Sequence, residues 1–368
     1  MRRSILVLTC ALAALAIGPL VLAGPSRAGR PAPIPRTFVS LVPACACGRH
    51  TELDEFSIAD GRRLRTLAPV VTGHYQLDTP AATRDGRLDL TYVSGVQCAA
   101  NGVYAECPRY VPNSCRNVVR QLSPGQTEPR PLFTVAGSRA IVGHVVPSAD
   151  GRRVALSLTP CVSVHGTTGL FVRTLATGAT RAVMSSSNRC DGFGPAAWSS
   201  AGTELVFAFD RAGGRPERYA GGIACPEGRS YLAVAPLGAA PGRGVKLHAA
   251  DRGCVFRSAA FDRAGIVAAE GCDRGDPEHG SGSFLGRAYL LQFGPAGKVT
   301  TRIRLRAGME DALIAAEPGS GNLLVTEDLP ANEPYPERDW VWEFDGRHLR
   351  LIASYRADDA AQILAVPW

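Results

Sequence analysis

Apolar residues in this chain come in short runs, rich in Val, Leu, Phe and Tyr, broken by Gly, Pro, Asp and Ser. No stretch sustains a helical period, so the pattern predicts strands throughout. Two hairpin patterns alternate. The first is a strand of small residues, a turn and an apolar strand: PAATRDGRLDLTYV from Pro80, VPSADGRRVALSL from Val146, PAAWSSAGTELVFAF from Pro195, SAAFDRAGIVAAE from Ser258 and ALIAAEPGSGNLLVTE from Ala312. Its turn glycines (Gly86, Gly151, Gly202, Gly265 and Gly321) recur at comparable intervals, as one supersecondary unit with variable loops would place them. They read as primed two-residue hairpin turns, which demand positive φ.

The second pattern is an aromatic or aliphatic strand, a turn, and a strand in which Arg or Thr alternates. Its six copies begin at Phe56, Val118, Leu170, Tyr231, Ala288 and Trp340. Paired with the first pattern, each copy makes a four-stranded unit, and self-similarity at a regular period is the mark of a repeat architecture. The sixth unit of the first kind is completed from the chain ends, Ala360-AQILAV with Phe38-VSLVP. Closing a ring in this way removes exposed sheet edges. The expected fold is therefore all-β: a six-bladed β-propeller of four-stranded blades, closed by pairing of the N- and C-terminal strands. A β-sandwich or a two-domain β protein would not interleave two patterns.

SADGRRVALSL at Ser148, TRDGRLDLTYV at Thr83 and SSAGTELVFAF at Ser199 resemble the SPDG-x-x-hydrophobic repeat of TolB-type, WD40-like propellers. The middle proline is missing in all three, and the copies at Phe261 and Glu317 depart further. The resemblance implies a fold rather than an activity, since such repeats serve periplasmic scaffolds as well as propeller domains of peptidases and lyases.

The organisation outside the repeats is simple. Residues 1–23 read as an export signal: Arg2 and Arg3, an apolar run from Ile5 to Leu22, and the small-residue site Val21-Leu22-Ala23. Residues 24–36 form a Pro/Gly/Arg-rich linker, and 37–368 a single propeller domain. No later stretch is apolar enough to span a membrane. The net charge of +7 is carried by arginine, with Lys246 and Lys298 the two lysines. No basic run of the nucleic-acid type occurs. Arg62-Arg63 and Arg152-Arg153 fall in expected turns and read as solvated charge.

With Cys10 removed alongside the signal, ten cysteines remain: Cys45, Cys47, Cys98, Cys107, Cys115, Cys161, Cys190, Cys225, Cys254 and Cys272. An even number in an exported chain reads as disulfides; CxxC and HExxH are both absent. All ten fall in blade-to-blade connections or in loops between a blade's second and third strands, which emerge on one face of a propeller. The interval from Cys161 to Cys190 equals that from Cys225 to Cys254, in matching positions of successive blades, and both pairs are expected to be disulfides. One bond is expected among Cys98, Cys107 and Cys115. Long fixed loops on a rigid scaffold are where binding resides.

Candidate chemistry is sparse. Asp273, Asp276, Glu278 and His279 in the polar loop after Cys272 are candidates for gathering round a cation, so a bound calcium ion is the one cofactor to test. Its competitor is an acidic, glycine-rich solvated loop. Asp191 in Cys190-DGFGP is a ligand candidate or a turn cap. His50, His165, His279 and His248 fall on or near the cysteine face, whereas Trp198, Trp340 and Trp342 read as packing residues. No GxSxG, dinucleotide or phosphate loop is present. Two functions follow: a non-catalytic binding or scaffold module, monomeric, for an extracytoplasmic protein, glycan or envelope component; or a propeller lyase, lactonase or hydrolase with an acid–base or metal site on the cysteine face.

Overall fold

A computed structural model describes residues 37–43, 51–68, 81–83, 86–94, 96–97, 109–110, 116–135, 140–160, 166–219, 222–272, 287–305, 311–316, 323–329, 338–356 and 366–367. The chain divides into two units, Met1–Pro33 and Ile34–Trp368, and every described residue belongs to the second.

That second unit is a six-bladed β-propeller of four-stranded antiparallel blades, with no helix among the described residues. Strands are numbered along the chain. Blade one orders β28 (Val366–Pro367), β1 (Thr37–Pro43), β2 (Thr51–Ser57) and β3 (Arg63–Ala68). Blade two is β4 (Ala81–Ala82), β5 (Leu88–Ser94), β8 (Arg116–Leu122) and β9 (Arg130–Val135). Blade three is β10 (Ala140–Pro147), β11 (Arg153–Pro160), β12 (Thr168–Thr174) and β13 (Thr180–Ser186). Blade four is β14 (Gly192–Trp198), β15 (Glu204–Arg211), β18 (Arg229–Pro236) and β19 (Lys246–Ala249). Blade five is β20 (Cys254–Phe261), β21 (Ile266–Cys272), β22 (Arg287–Phe293) and β23 (Val299–Arg304). Blade six is β24 (Asp311–Ala316), β25 (Leu323–Leu329), β26 (Arg338–Phe344) and β27 (Leu349–Arg356). Two small hairpins, β6 (Val96–Gln97) with β7 (Arg109–Tyr110) and β16 (Glu217–Tyr219) with β17 (Gly222–Ala224), are inserted between second and third strands. The sequence pattern did not foretell them.

The terminal strands close the ring as expected, Phe38 and Val39 of β1 pairing with Pro367 and Val366 of β28, while residues 360–365 of the expected closing strand lie outside the described residues. Apolar clusters fill the gaps between successive blades, because both faces of a middle strand are covered and its residues alternate between two neighbours. In β15, Leu205, Phe207 and Phe209 pack toward blade three with Leu170 and Val172, while Val206 and Ala208 pack toward blade five with Phe256 and Leu291. Blades five and six share a cluster around Leu290, Leu323 and Trp340, and blades six and one another around Phe38, Phe56 and Val341.

The turns at Gly151 and Gly202 are not two-residue primed hairpins, and Gly321 lies outside the described residues. Ser148 N–H bonds the Arg153 carbonyl and Gly151 N–H the Ser148 carbonyl, with Gly151 at φ 63°. Ser199, Gly202 and Glu204 repeat the arrangement. The loop is thus a longer one, closed by a turn whose last residue is left-handed glycine. The reason lies in the first residue of the motif: the Ser148 hydroxyl accepts from Arg153 N–H at 3.0 Å and donates to Asp150 at 2.5 Å. That side chain substitutes for backbone partners that a two-residue turn would supply.

Arg63 and Arg153 are more than solvated charge. The Arg63 Nε lies 2.7 Å from the fully buried Asp54 carboxylate. Arg153 crosses to blade four, donating to the Gly202 carbonyl at 2.8 Å and lying over the Trp198 ring. Trp198 in turn donates its Nε1 proton to the Val146 carbonyl at 2.9 Å, joining blades three and four as a packing residue should.

Candidate functional site

Two disulfides lie on one face of the propeller, each joining the start of a blade's first strand to the segment that follows or ends its second strand. Cys190, ahead of β14, is bonded to Cys225, between β17 and β18. Cys254, which begins β20, is bonded to Cys272, which ends β21. The expected pairs were 161–190 and 225–254, and both are overturned. Their error is an offset of half a blade. The loop after a second strand and the segment leading into the next blade are separated by the third and fourth strands. The start of a first strand and the end of its own second strand, by contrast, are antiparallel neighbours. Cys254 and Cys272 are direct register partners with Cα atoms 4.0 Å apart, near the short spacing of a non-hydrogen-bonded cross-strand pair. Cys45, Cys47, Cys98, Cys107, Cys115 and Cys161 lie outside the described residues.

The Cys190–Cys225 bond is one of several ties on the β16–β17 insertion. Asp191, only 8% exposed, accepts the Ala212 N–H at 2.9 Å with Oδ1. Asn188 donates to the Gly214 carbonyl at 2.7 Å, and Gly213 N–H to the Glu227 carbonyl. Asp191 is therefore a backbone cap that sets the base of this hairpin. Asp273, Asp276, Glu278 and His279, the other expected ligand residues, lie outside the described residues, as do His50 and His165.

Two groups of charge on this face escaped the sequence reading. Asp210 stands at the blade four–five junction, opposite Ser230 in the register. Desolvation raises its carboxyl pKa, opposed by the Ser230 hydrogen bond and the charge of Arg257. Arg257 occupies the register shift between Phe256 and Ser258 on the first strand of blade five, and Ser230 Oγ accepts the Phe256 N–H at 2.9 Å. The second group is Glu270, 2% exposed, with Asp251, Tyr289 and Arg302. Glu270 accepts from the Asp251 N–H and from Arg302, each at 3.3 Å, and Arg302 lies 3.8 Å over the Tyr289 ring. Desolvation pushes Glu270 above the ordinary carboxylate range; the Asp251 charge adds to this, and the Asp251 N–H and Arg302 oppose it. The signal was present in principle, as a charged residue closing an apolar run in Leu205-VFAFDR and Val267-AAEGC. The side chains it meets come from other strands.

Cys254, Glu270 and Cys272 bring their ligand atoms within 4.8 Å of one another. The two sulfurs are bonded to each other and offer no thiolate, and Glu270 is held by Arg302, so the oxidised protein does not present a donor set for a cation here. Among the described histidines, His248 packs on Phe293 of blade five with ring centroids 5.7 Å apart, and His348 faces Asp345 in the β26–β27 turn, on the opposite face.

No family model matches the chain, and no curated relative matches it. Solved structures similar to it include prolyl oligopeptidase B from Galerina marginata, at 14% identity over 87% of this chain and 41% of that one, TM-score 0.46. An oligogalacturonate lyase from Vibrio parahaemolyticus is 9% identical over 85% of this chain and 78% of that one, TM-score 0.46. The dipeptidyl peptidase 4 of Porphyromonas gingivalis is 9% identical over 86% and 45%, TM-score 0.41. The chain spans less than half the length of either peptidase. At such identities the likeness concerns the fold alone, and the class assigned here, a disulfide-bonded six-bladed β-propeller, rests on the strand order and the two bonds. Disulfides of this kind belong to an oxidising compartment.

Proposed function

We propose that the protein is an extracytoplasmic binding propeller whose disulfide-stapled face holds a glycan, protein or envelope component. The observation that carries this reading is the staple itself. Both bonds, the Asp191 cap and the hairpin ties fix loops on one face, whereas among the described residues no disulfide lies on the opposite face. A rigid scaffold that presents fixed loops lowers the ordering cost of binding. The TolB-type resemblance of the repeats agrees with such a role, as does the export signal read at the N-terminus. A monomer suffices for it.

An enzymatic reading has one observation in its favour, the raised carboxyl pKa of Asp210 beside Arg257, since perturbed groups cluster at catalytic sites. One experiment separates the two. A photo-crosslinking residue is placed at exposed position 217 or 252 on the stapled face, and at 347 on the turn face, and the protein is exposed to envelope fractions. Crosslinks from 217 or 252 and not from 347 are the expected result. Turnover of an oligosaccharide, lactone or peptide that is abolished in Asp210→Asn would instead make the protein an enzyme.

A further inference from the structure

Arg211 ends β15 and Arg229 begins β18, and the two are direct cross-strand partners at the stapled face. Their side chains leave the same side of the sheet with Cβ atoms about 5 Å apart, a placement that is unfavourable for like charges. Both residues are exposed, and neither makes an ion pair with any described residue. The backbone that carries them is fixed. Gly213 N–H bonds the Glu227 carbonyl, Asp191 caps Ala212, and the Cys190–Cys225 bond closes the loop between them. Gly228 packs so closely on the Arg211 carbonyl that a Cβ there would collide with it. Arg229 lies over the ring of Tyr231, which stacks with Phe209, which in turn packs on Phe193. The pair therefore tops an aromatic column between blades three and four, and exposed Arg215 follows on the adjoining insertion.

Two like charges on adjacent positions of a backbone fixed by a disulfide and a cap, one of them over an aromatic stack, suit a ligand that cancels the charge. Guanidinium groups bind oxyanions through paired N–H donors, and each bond is charge-assisted. We propose that Arg211 and Arg229 form a clamp for the oxyanion groups, carboxylate or phosphate, of an acidic polymer. The inference deepens the binding reading of the stapled face and rests on it.

The test uses the oxidised full chain with two fluorescent polymers, a polyuronate for carboxylate and a polyphosphate for phosphate, at low and high salt. The double variant Arg211→Gln/Arg229→Gln should weaken binding at low salt by about tenfold or more. Arg347→Gln, an exposed arginine on the turn face, should change it by less than about twofold. Binding of the polyuronate alone identifies a carboxylate ligand, of the polyphosphate alone a phosphate ligand, and of both a site that selects charge. In the unsubstituted protein, either polymer that binds should protect Arg211 and Arg229 from phenylglyoxal. Unchanged affinity in a folded double variant, an equal loss in Arg347→Gln, or protection confined to other arginines would overturn the clamp. Crosslinks from positions 217 and 252 that survive the double variant would remove the clamp and leave the binding face intact. Crosslinks from 347 alone would remove both.

Discussion

Ser258 on the first strand of blade five accepts the Ile314 N–H from the first strand of blade six at 2.8 Å, and its own hydroxyl donates to the Ala312 carbonyl at 3.1 Å. One buried hydroxyl thus serves two backbone groups of the neighbouring blade. Ser258→Ala leaves both without that partner, and a buried group deprived of its bond costs about 1–3 kcal/mol. Urea unfolding should show a loss in that range. A variant as stable as the parent would mean that the inter-blade bond contributes nothing.

The disulfide assignment has a direct readout. Non-reducing peptide mapping should recover Cys190 joined to Cys225 and Cys254 joined to Cys272. A 161–190 or 225–254 peptide would contradict the blade register. Replacing Cys254 and Cys272 together by serine should lower stability by about 2–4 kcal/mol.

Acid should act with opposite signs on two carboxyls. The folded pKa of Glu270 is raised above its ordinary 4.5 by burial, so its contribution is fully present below the unfolded value and lost as pH rises through the folded one. Glu270→Gln should therefore gain on the parent at neutral pH and lose that advantage as the pH falls through the raised folded value toward 4.5. Asp150 is lowered from 3.8 by its Ser148 hydrogen bond and the Arg152 N–H. Its contribution is present above the unfolded value and lost as pH falls through the folded one, so Asp150→Asn should be the weaker protein at neutral pH, with the gap closing below 3.8. Denaturant titrations from neutral to strongly acid pH measure both, and gaps that do not move with pH would exclude the ionisations as their cause.

Gly61 in the β2–β3 turn has φ 68°, and a Cβ there would run into that of Ala353 on β27. Its carbonyl also accepts the Tyr355 hydroxyl at 2.6 Å. Gly61→Ala combines an unfavourable backbone with an overpacked contact between blades six and one, and overpacking alone costs about 1–3 kcal/mol. The expected result is a lower melting temperature with both described disulfides intact.

The fold was legible because each blade repeats the same local chemistry. Ser148 and Ser199 close similar turns, and the apolar runs at Leu205 and Val267 are long because both faces of a middle strand are buried. The ring closure was legible too, since the first hairpin pattern lacks a sixth copy inside the chain and Phe38-VSLVP stands ready at one end to complete it. The disulfide pairing was not, because equal intervals along the chain measure its length and not the two strands that intervene in a blade. The charged groups resisted for a similar reason. Glu270 meets Arg302 across β22, and Asp210 meets Arg257 across a blade boundary; neither pair has a spacing that the sequence marks. Asp191 was visible as a residue, but its role depended on Ala212, far along the chain on the other side of β14 and β15.

The two kinds of closure in this ring differ in when they become possible. Each described disulfide joins positions 35 or 18 residues apart, inside one blade. The seam between β1 and β28 pairs Phe38 with Pro367, so it joins the first described strand to the last. A chain made from its N-terminus can lock blades four and five while blade one still has three strands and an open inner edge. Contacts so distant in sequence form slowly. Until that seam forms, the inner edge of β1 is an unpaired strand edge open to a wrong partner.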